Sequence, residues 1–396
     1  MVNDMDGIAG MSALSRDLRE KFFREAPQEV TLVISSDPLN KAYLSGYVSM
    51  THDLAPAYRS AVLASRDNVS LVVSAADAGP ARNFFADASH LYRYGEFYFE
   101  TTDDAFSEFR KDPHAGFQEA FAHAIRAHRS ADGLVGVDRS NDDVAWALCR
   151  EILGENRVRD ITPDLARTRA TKIEGEVVRL RRASQLVEEG FRQVAEIARP
   201  GLTERDLAAV VTRSMVAGGG VPRFVSVTSG IRSALADAYP TDRKMLAGDI
   251  LRIDAGCTVD GYWSDIGRTF VFGEPDTRQR RIYEALHVGL EAELAAVRAG
   301  IQADALFAIA MESVRSSGIP HYRRQHCGHG IGLKSYDNPT IRTGDTTLLR
   351  EGMCLCLETP YYEIGVDGMM VEDMIRVTAT GYEPLTTISR ELVVIF

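Results

Sequence analysis

Residues 250–270 read ILRIDAGCTVDGYWSDIGRTF. Ile250, Leu251 and Ile253 make an apolar, strand-like entry, and Asp260-Gly261 is a hairpin signal. The segment therefore predicts two adjacent antiparallel strands. If Val259-Asp260 form the turn, Asp254 opposes Asp265. If Asp260-Gly261 form it, Asp265 opposes Gly256. Side chains alternate between faces, so either register places both carboxylates on the same face. Unpaired, they would repel. Arg252 and Arg268 are the nearest candidate partners in the sequence, and a cation from outside is the alternative.

Three further residues weigh toward the cation. His329 lies in CGHGIG, where glycines permit close approach. Glu358 ends the apolar run MCLCLE, and Glu372 sits inside the strand-like GMMVEDMIRV. Burying four carboxylates without compensation costs many kcal/mol. Two divalent cations would balance them. One imidazole among oxygen donors suits Mn, Co, Zn or Fe(II) better than Ca.

In this order the five residues resemble the ligand series of the pita-bread metallopeptidases, which include aminopeptidase P, prolidase and methionine aminopeptidase, with creatinase as a metal-free relative. That pattern has a D-x-G aspartate, a second aspartate eleven residues later, a G-H-G histidine, an E-P-like glutamate and an (I/V)-E-D glutamate. YPTDRKMLAGD (239–249) and GYEPLT (381–386) also fit. DPLNKAYLSGY (37–47) resembles the start of the N-terminal domain of the Xaa-Pro branch and of creatinase. The resemblance implies that Asp254 chelates one metal, that His329 and Glu358 hold another, and that Asp265 and Glu372 bridge both. It also implies that Glu358 serves as general base, and that the chain forms a homodimer in which 37–50 of one copy walls the site of the other.

The surrounding polar residues depart from the family. Ala236-Asp237 stand where the peptidases have Pro-His. Gln325 and Tyr336 replace histidines, and Met370 replaces an arginine. Tyr336 retains a donor and becomes a catalytic candidate. Asp237 becomes a substrate-binding candidate that disfavours an anionic peptide end, unless Arg232 or Arg243 pairs with it. His326, one position out of register, is a second substrate-binding candidate, and His321 a third.

The rest of the chain reads as two domains. Residues 1–165 alternate strands (29–35, 70–77, 133–138) with helices over 103–129, interrupted near Pro113, and from an Asn141 cap to Leu153. This predicts an α/β domain. Residues 166–396 predict the α+β pita-bread domain with a pseudo-two-fold duplication, because the segments starting at Gly190 and Gly289 align without gaps at a shift of 99 residues. GVPRF and GIPHY follow the two copies.

At 396 residues, 45% hydrophobic and 26% charged, the composition is that of a globular protein. The net charge of −11 argues against nucleic acid or an anionic membrane as partner. No apolar run approaches the ~18 residues of a membrane span, and no secretory signal is evident. Five scattered cysteines without a CxxC pair indicate reduced thiols and a cytoplasmic setting. The expectation is a dinuclear metal-dependent hydrolase of amide-type C–N bonds, acting on short Xaa-Pro-like peptides. A hydrolase of a small non-peptide amide or amidine (creatinase- or ectoine-hydrolase-like), a lyase on the same scaffold, and a non-catalytic binding module are the alternatives.

Overall fold

The computed structural model describes residues 7–55, 57–85, 90–128, 133–140 and 143–396. Asn141, the expected helix cap, lies outside the described residues. The chain divides into two compact units between Arg169 and Ala170.

The first unit contains α1 (Gly7–Glu25), β1 (Val30–Ser35), α2 (Pro38–Ser45), α3 (Thr51–Leu54), β2 (Ala61–Ala64), β3 (Val69–Ser74), α4 (Ala78–Phe84), β4 (Leu91–Tyr94), α5 (Phe117–Ala127), β5 (Leu134–Val137), α6 (Asp143–Leu153) and β6 (Val158–Asp160). α7 (Thr162–Ala170) spans the division. The strands form one mixed sheet in the order β4-β3-β2-β1-β5-β6. Phe117, Phe121 and Ile125 of α5 pack on Leu32, Ile34, Leu63 and Val72 of the sheet. Asp37 starts α2 by accepting from the backbone N–H of Leu39 and Asn40, and Gly46 ends it with a left-handed φ of 75°.

Two expectations need adjustment here. The third strand stops at Ser74, and Ala75 to Asp77 turn away. The Asp77 carboxylate accepts from Tyr47 Oη (2.7 Å), Ser49 Oγ (2.8 Å) and Tyr58 Oη (2.8 Å), so it is drawn into a polar hub instead of continuing the strand. Ahead of Pro113 the helical pattern forms only a 3₁₀ segment, Asp104–Arg110, and regular helix begins at Phe117.

The second unit contains α8 (Glu174–Ile197), α9 (Glu204–Ala217), β7 (Val221–Ser229), β8 (Ile250–Val259), β9 (Tyr262–Trp263), β10 (Ile266–Phe272), α10 (Thr277–Ala296), α11 (Ala303–Ser316), β11 (Gly328–Gly330), β12 (Asp337–Thr340), β13 (Cys354–Glu358), β14 (Tyr361–Glu363), β15 (Asp367–Met369), β16 (Glu372–Val377), β17 (Tyr382–Pro384) and β18 (Val393–Ile395). The duplication is visible in the element bounds. α9 and α11 are offset by 99 residues at both ends, and α8 and α10 end 99 residues apart. Each helix pair is followed by a sheet: β18-β10-β8-β7 in one half, antiparallel except for the parallel β10–β18 edge pair, and the antiparallel β12-β11-β13-β16-β17 in the other.

The hairpin that opened the sequence takes the Asp260-Gly261 turn. Thr258 pairs with Trp263 and Val259 with Tyr262, and Ala255 pairs with Ile266. Asp260 (φ 51°) and Gly261 (φ 84°) are both left-handed, as a type I′ turn requires. Gly256 is needed for a different reason: a Cβ there would lie 2.2 Å from Ser264 O.

Arg268 of β10 joins the two halves. Its guanidinium is fully buried and donates to Asp373 Oδ1 (2.6 Å), Glu372 O (2.6 Å), Ser389 O (2.8 Å) and Ile388 O (3.0 Å). Thr269 beside it exchanges two 2.8 Å hydrogen bonds with the backbone of Met370. Removing Arg268 leaves several buried acceptors and a buried carboxylate short of a donor. Arg268→Met should therefore cost on the order of 3 kcal/mol in denaturant unfolding; a loss below about 1 kcal/mol would show that the halves do not depend on it.

Candidate metal centre

The five residues singled out from the sequence converge where the two half-sheets meet. Asp254 lies in the middle of β8, and Asp265 immediately precedes β10. His329 is the central residue of β11, Glu358 ends β13, and Glu372 begins β16 directly opposite Glu358 in the strand register. All but Asp254 are classed as buried, and the Asp254 side chain is only 17% exposed. Ligand atoms of Asp265, His329 and Glu372 lie within 4.8 Å of one another, together with Cys356 Sγ.

The electrostatics are those of a site built for cations. Burial raises the Asp254 and Glu372 carboxyls well above their ordinary range, and repulsion from Asp265 adds to it. Asp265 is also raised, chiefly by burial and against the pull of His329. Glu358 behaves differently. Burial is again the largest influence, but His326 and Arg324 outweigh it and hold the group below its ordinary value. His326 Nδ1 is 3.1 Å from Glu358 Oε1, and Arg324 Nη2 is 3.6 Å from Oε2.

The donor atoms fit divalent ions. His329 Nδ1 faces Gly330 O at 3.0 Å, which assigns the ring proton to that nitrogen and leaves the lone pair of Nε2 toward the carboxylates. Nε2 stands 3.6 Å from Asp265 Oδ2, too far for a hydrogen bond, and has no hydrogen-bond partner among the described residues. Asp254 Oδ1 is likewise buried without one, while Oδ2 faces Arg252 Nη1 at 3.4 Å. Two orphaned acceptors, Asp254 Oδ1 and His329 Nε2, beside three further carboxylates are what divalent ions satisfy.

Asp254, Asp265, Glu358 and Glu372 line a cavity of about 400 Å³, with Asp237, Tyr336, Phe224, Trp263, Tyr239 and Arg223 among its other walls. Tyr336 stacks on His329, with ring centroids 3.7 Å apart and planes at 18°. Burial and the neighbouring carboxylates raise its hydroxyl, so it keeps its proton. Asp237 is exposed at the cavity wall, and neither proposed arginine takes it: Arg232 pairs with Glu204 and Arg243 with Asp249. His326 is placed against Glu358 rather than among the cavity-lining residues, Gln325 faces outward, and His321 contacts Tyr361 Oη at 3.0 Å.

Arg324, Trp263 and Phe224 were not anticipated. For Trp263 a signal existed: it is two residues before Asp265, so alternation puts it on the same side. The same spacing places Arg252 beside Asp254. Arg324 had no comparable periodic signal in the loop preceding β11.

Comparison with known proteins bears on the same region. Residues 178–379 match the model of metallopeptidase family M24. The Xaa-Pro dipeptidase of Pyrococcus horikoshii is 33% identical over 239 residues, covering 60% of this chain and 67% of that protein. A probable dipeptidase PepE of Mycobacterium bovis is 34% identical over 236 residues, covering 59% and 63%. Among solved structures, an Xaa-Pro dipeptidase from Bacillus anthracis superposes with a TM-score of 0.76 at 20% identity, covering 96% of this chain and all of the other.

Carboxyls raised in the folded state hold protons that the unfolded chain has released. Their contribution to stability is complete below about pH 4, the ordinary carboxylate range, and is lost as pH rises through the raised values. Glu358 has the opposite sign, but three raised groups oppose one. After chelation of divalent ions, the wild type should therefore melt lower at about pH 8 than at about pH 5, and Glu372→Gln should flatten that decline. Melting curves of both proteins in chelator test it; identical pH dependence in the two would contradict the assigned cause.

Proposed function

The chain belongs to metallopeptidase family M24, and on that premise we propose that it hydrolyses the amide bond of short Xaa-Pro-type peptides using two divalent ions. The observation that carries this is the convergence of Asp254, Asp265, Glu358 and Glu372 on one cavity, with His329 clustered against Asp265 and Glu372 and the acceptors Asp254 Oδ1 and His329 Nε2 unsatisfied. Asp254 would hold one ion, His329 and Glu358 the other, and Asp265 and Glu372 both. Mn, Co, Zn and Fe(II) all suit this donor set. Bound there, such ions would acidify a water and polarise the substrate carbonyl.

The protein groups supply the rest. Glu358 is kept ionised by His326 and Arg324, so it can take the proton of the attacking water and return it to the leaving nitrogen. Tyr336 keeps its hydroxyl proton at the cavity wall and can donate to the oxygen that gains charge. A non-peptide amide is a second reading, favoured by Asp237 and by Met370, whose sulfur lies 3.5 Å from Arg252 rather than presenting a cation to the cavity.

Two settings complete the proposal. All five cysteines are buried free thiols, which supports a reducing cytoplasm. No described helix is long and apolar enough to cross a membrane. A homodimer is proposed from the family resemblance of 37–50, and light scattering at micromolar concentration tests it: an active monomer would refute it.

Asp265→Ala should abolish stoichiometric metal binding and reduce turnover of Xaa-Pro dipeptides by more than about 100-fold, since even an outer-sphere loss costs 10–100-fold. Elemental analysis alongside kinetics reads both. Two retained metals with wild-type turnover would remove Asp265 from the ligand set. Glu358→Gln should lower kcat by at least about 100-fold, because the amide cannot accept the proton. Turnover within threefold of wild type would exclude Glu358 as the base.

A further inference from the structure

We propose that the outer part of the cavity selects a cationic or neutral group on the substrate, with Asp237 as its counter-charge and Phe224, Trp263, Tyr239 and Tyr336 as an aromatic wall. The inference deepens the hydrolase reading and rests on it for its kinetic arm only.

Charge comes first. Five carboxylates line the cavity, those of Asp237, Asp254, Asp265, Glu358 and Glu372, against one guanidinium, that of Arg223. Two divalent ions would offset the four buried carboxylates and leave Asp237. Asp237 makes no hydrogen bond or ion pair with any described residue. Arg232 and Arg243, the cations nearest in sequence, are committed to Glu204 and Asp249. Arg223 is engaged as well: its Nε donates to Thr258 Oγ1 at 3.1 Å, and its guanidinium lies over the Trp263 ring at 5.6 Å. A substrate carboxylate would therefore meet an uncompensated like charge at Asp237, and an ammonium would meet an opposite one.

The wall chemistry points the same way. Four aromatic side chains share the cavity with that carboxylate. Aromatic faces attract cations, and combining them with a carboxylate is how ammonium groups are recognised. Trp263 already carries a cation in this manner. The volume of about 400 Å³ leaves room beyond the metal ligands for a group the size of an amino-acid residue.

The loop that presents Asp237 is held independently of it. Arg252 donates to the carbonyls of Ser233 (3.1 Å), Leu235 (2.8 Å) and Ala236, and Ser226 Oγ donates to Ala238 O at 3.1 Å. A substitution at 237 should thus change charge without moving the loop.

Binding is tested first, without reference to turnover. The chain has two tryptophans, so Trp146→Phe leaves Trp263 as the sole indole emitter. The metal-loaded Trp146→Phe protein is titrated at constant ionic strength with tetramethylammonium chloride and, separately, with sodium acetate. Tetramethylammonium should change Trp263 emission saturably, and adding Asp237→Asn should weaken its binding roughly three- to tenfold. Saturation by acetate but not by tetramethylammonium would overturn the proposal, as would an unchanged affinity in Asp237→Asn. The second test compares kcat/KM for Ala-Pro, Ala-Pro-amide and the Ala-Pro aminoethylamide, whose added amine is cationic. The amides should exceed the acid, and Asp237→Asn should erase the advantage of the cationic over the neutral amide. Preference for the free acid in the wild type would overturn the inference. Asp237-dependent tetramethylammonium binding without hydrolysis of any of the three would support it, and would instead reject the Xaa-Pro reading.

Discussion

The second unit is organised around the problem of keeping like charges together. Asp254, Asp265, Glu358 and Glu372 approach one another from four different segments in a largely dry seam. Three arginines make this arrangement tolerable without entering it as ligands. Arg252 stands behind Asp254, Arg324 beside Glu358, and Arg268 grips the backbone of Glu372 and the carboxylate of Asp373. Arg252 and Arg268 spend most of their donors on carbonyls and carboxylates, which is how a guanidinium is retained in an interior, while Arg324 acts on Glu358 by charge at 3.6 Å. None is placed to neutralise all four acids. The residual repulsion is what divalent ions at the proposed site would relieve.

The duplication explains why the site lies at the seam. Each half supplies a helix pair with the same spacing and a sheet, but their proposed ligands differ. The first half brings Asp254 and Asp265 on one hairpin. The second brings His329, Glu358 and Glu372 on three neighbouring strands. Neither half alone presents a full donor set, so metal affinity depends on the register of one sheet against the other. Arg268 and the Thr269–Met370 pair fix that register with hydrogen bonds to backbone atoms, which do not depend on which side chains occupy positions 370 and 372.

Much of this was legible in the sequence because strand periodicity is strict. Period two put Asp254 and Asp265 on one face in either register, and the positive φ that Asp260 and Gly261 tolerate selected between the two. The 99-residue shift located both helix pairs. Local pattern failed where a distant group competed for the chain. Ala75 to Asp77 read as strand, yet four hydroxyls, from 47, 49, 51 and 58, claim the Asp77 carboxylate. Arg324 acts through a loop whose path no periodicity specifies. The place of His326 depends on a one-residue choice, in which Gln325 faces out and His326 faces Glu358, that only the tertiary course of the segment before β11 decides.

The altered surroundings of the metal ligands follow from how the walls are attached. Met370 occupies a position where the family resemblance leads one to expect arginine, and its sulfur packs against Arg252 at 3.5 Å. A guanidinium is thus still present near Asp254, but it projects from β8 instead of from the segment before β16, and its donors face inward to Ser226, Ser233, Leu235 and Ala236. In this chain the cation holds a loop. Because it holds that loop by main-chain carbonyls, the side chain at 237 is relieved of any structural duty. A residue with no duty to the fold can change at little cost to stability. The five proposed metal ligands would have no such freedom, since each would answer to the other four. Under the proposed roles, specificity at the cavity mouth and chemistry at its floor are therefore mechanically separate, and the first can drift while the second stays intact.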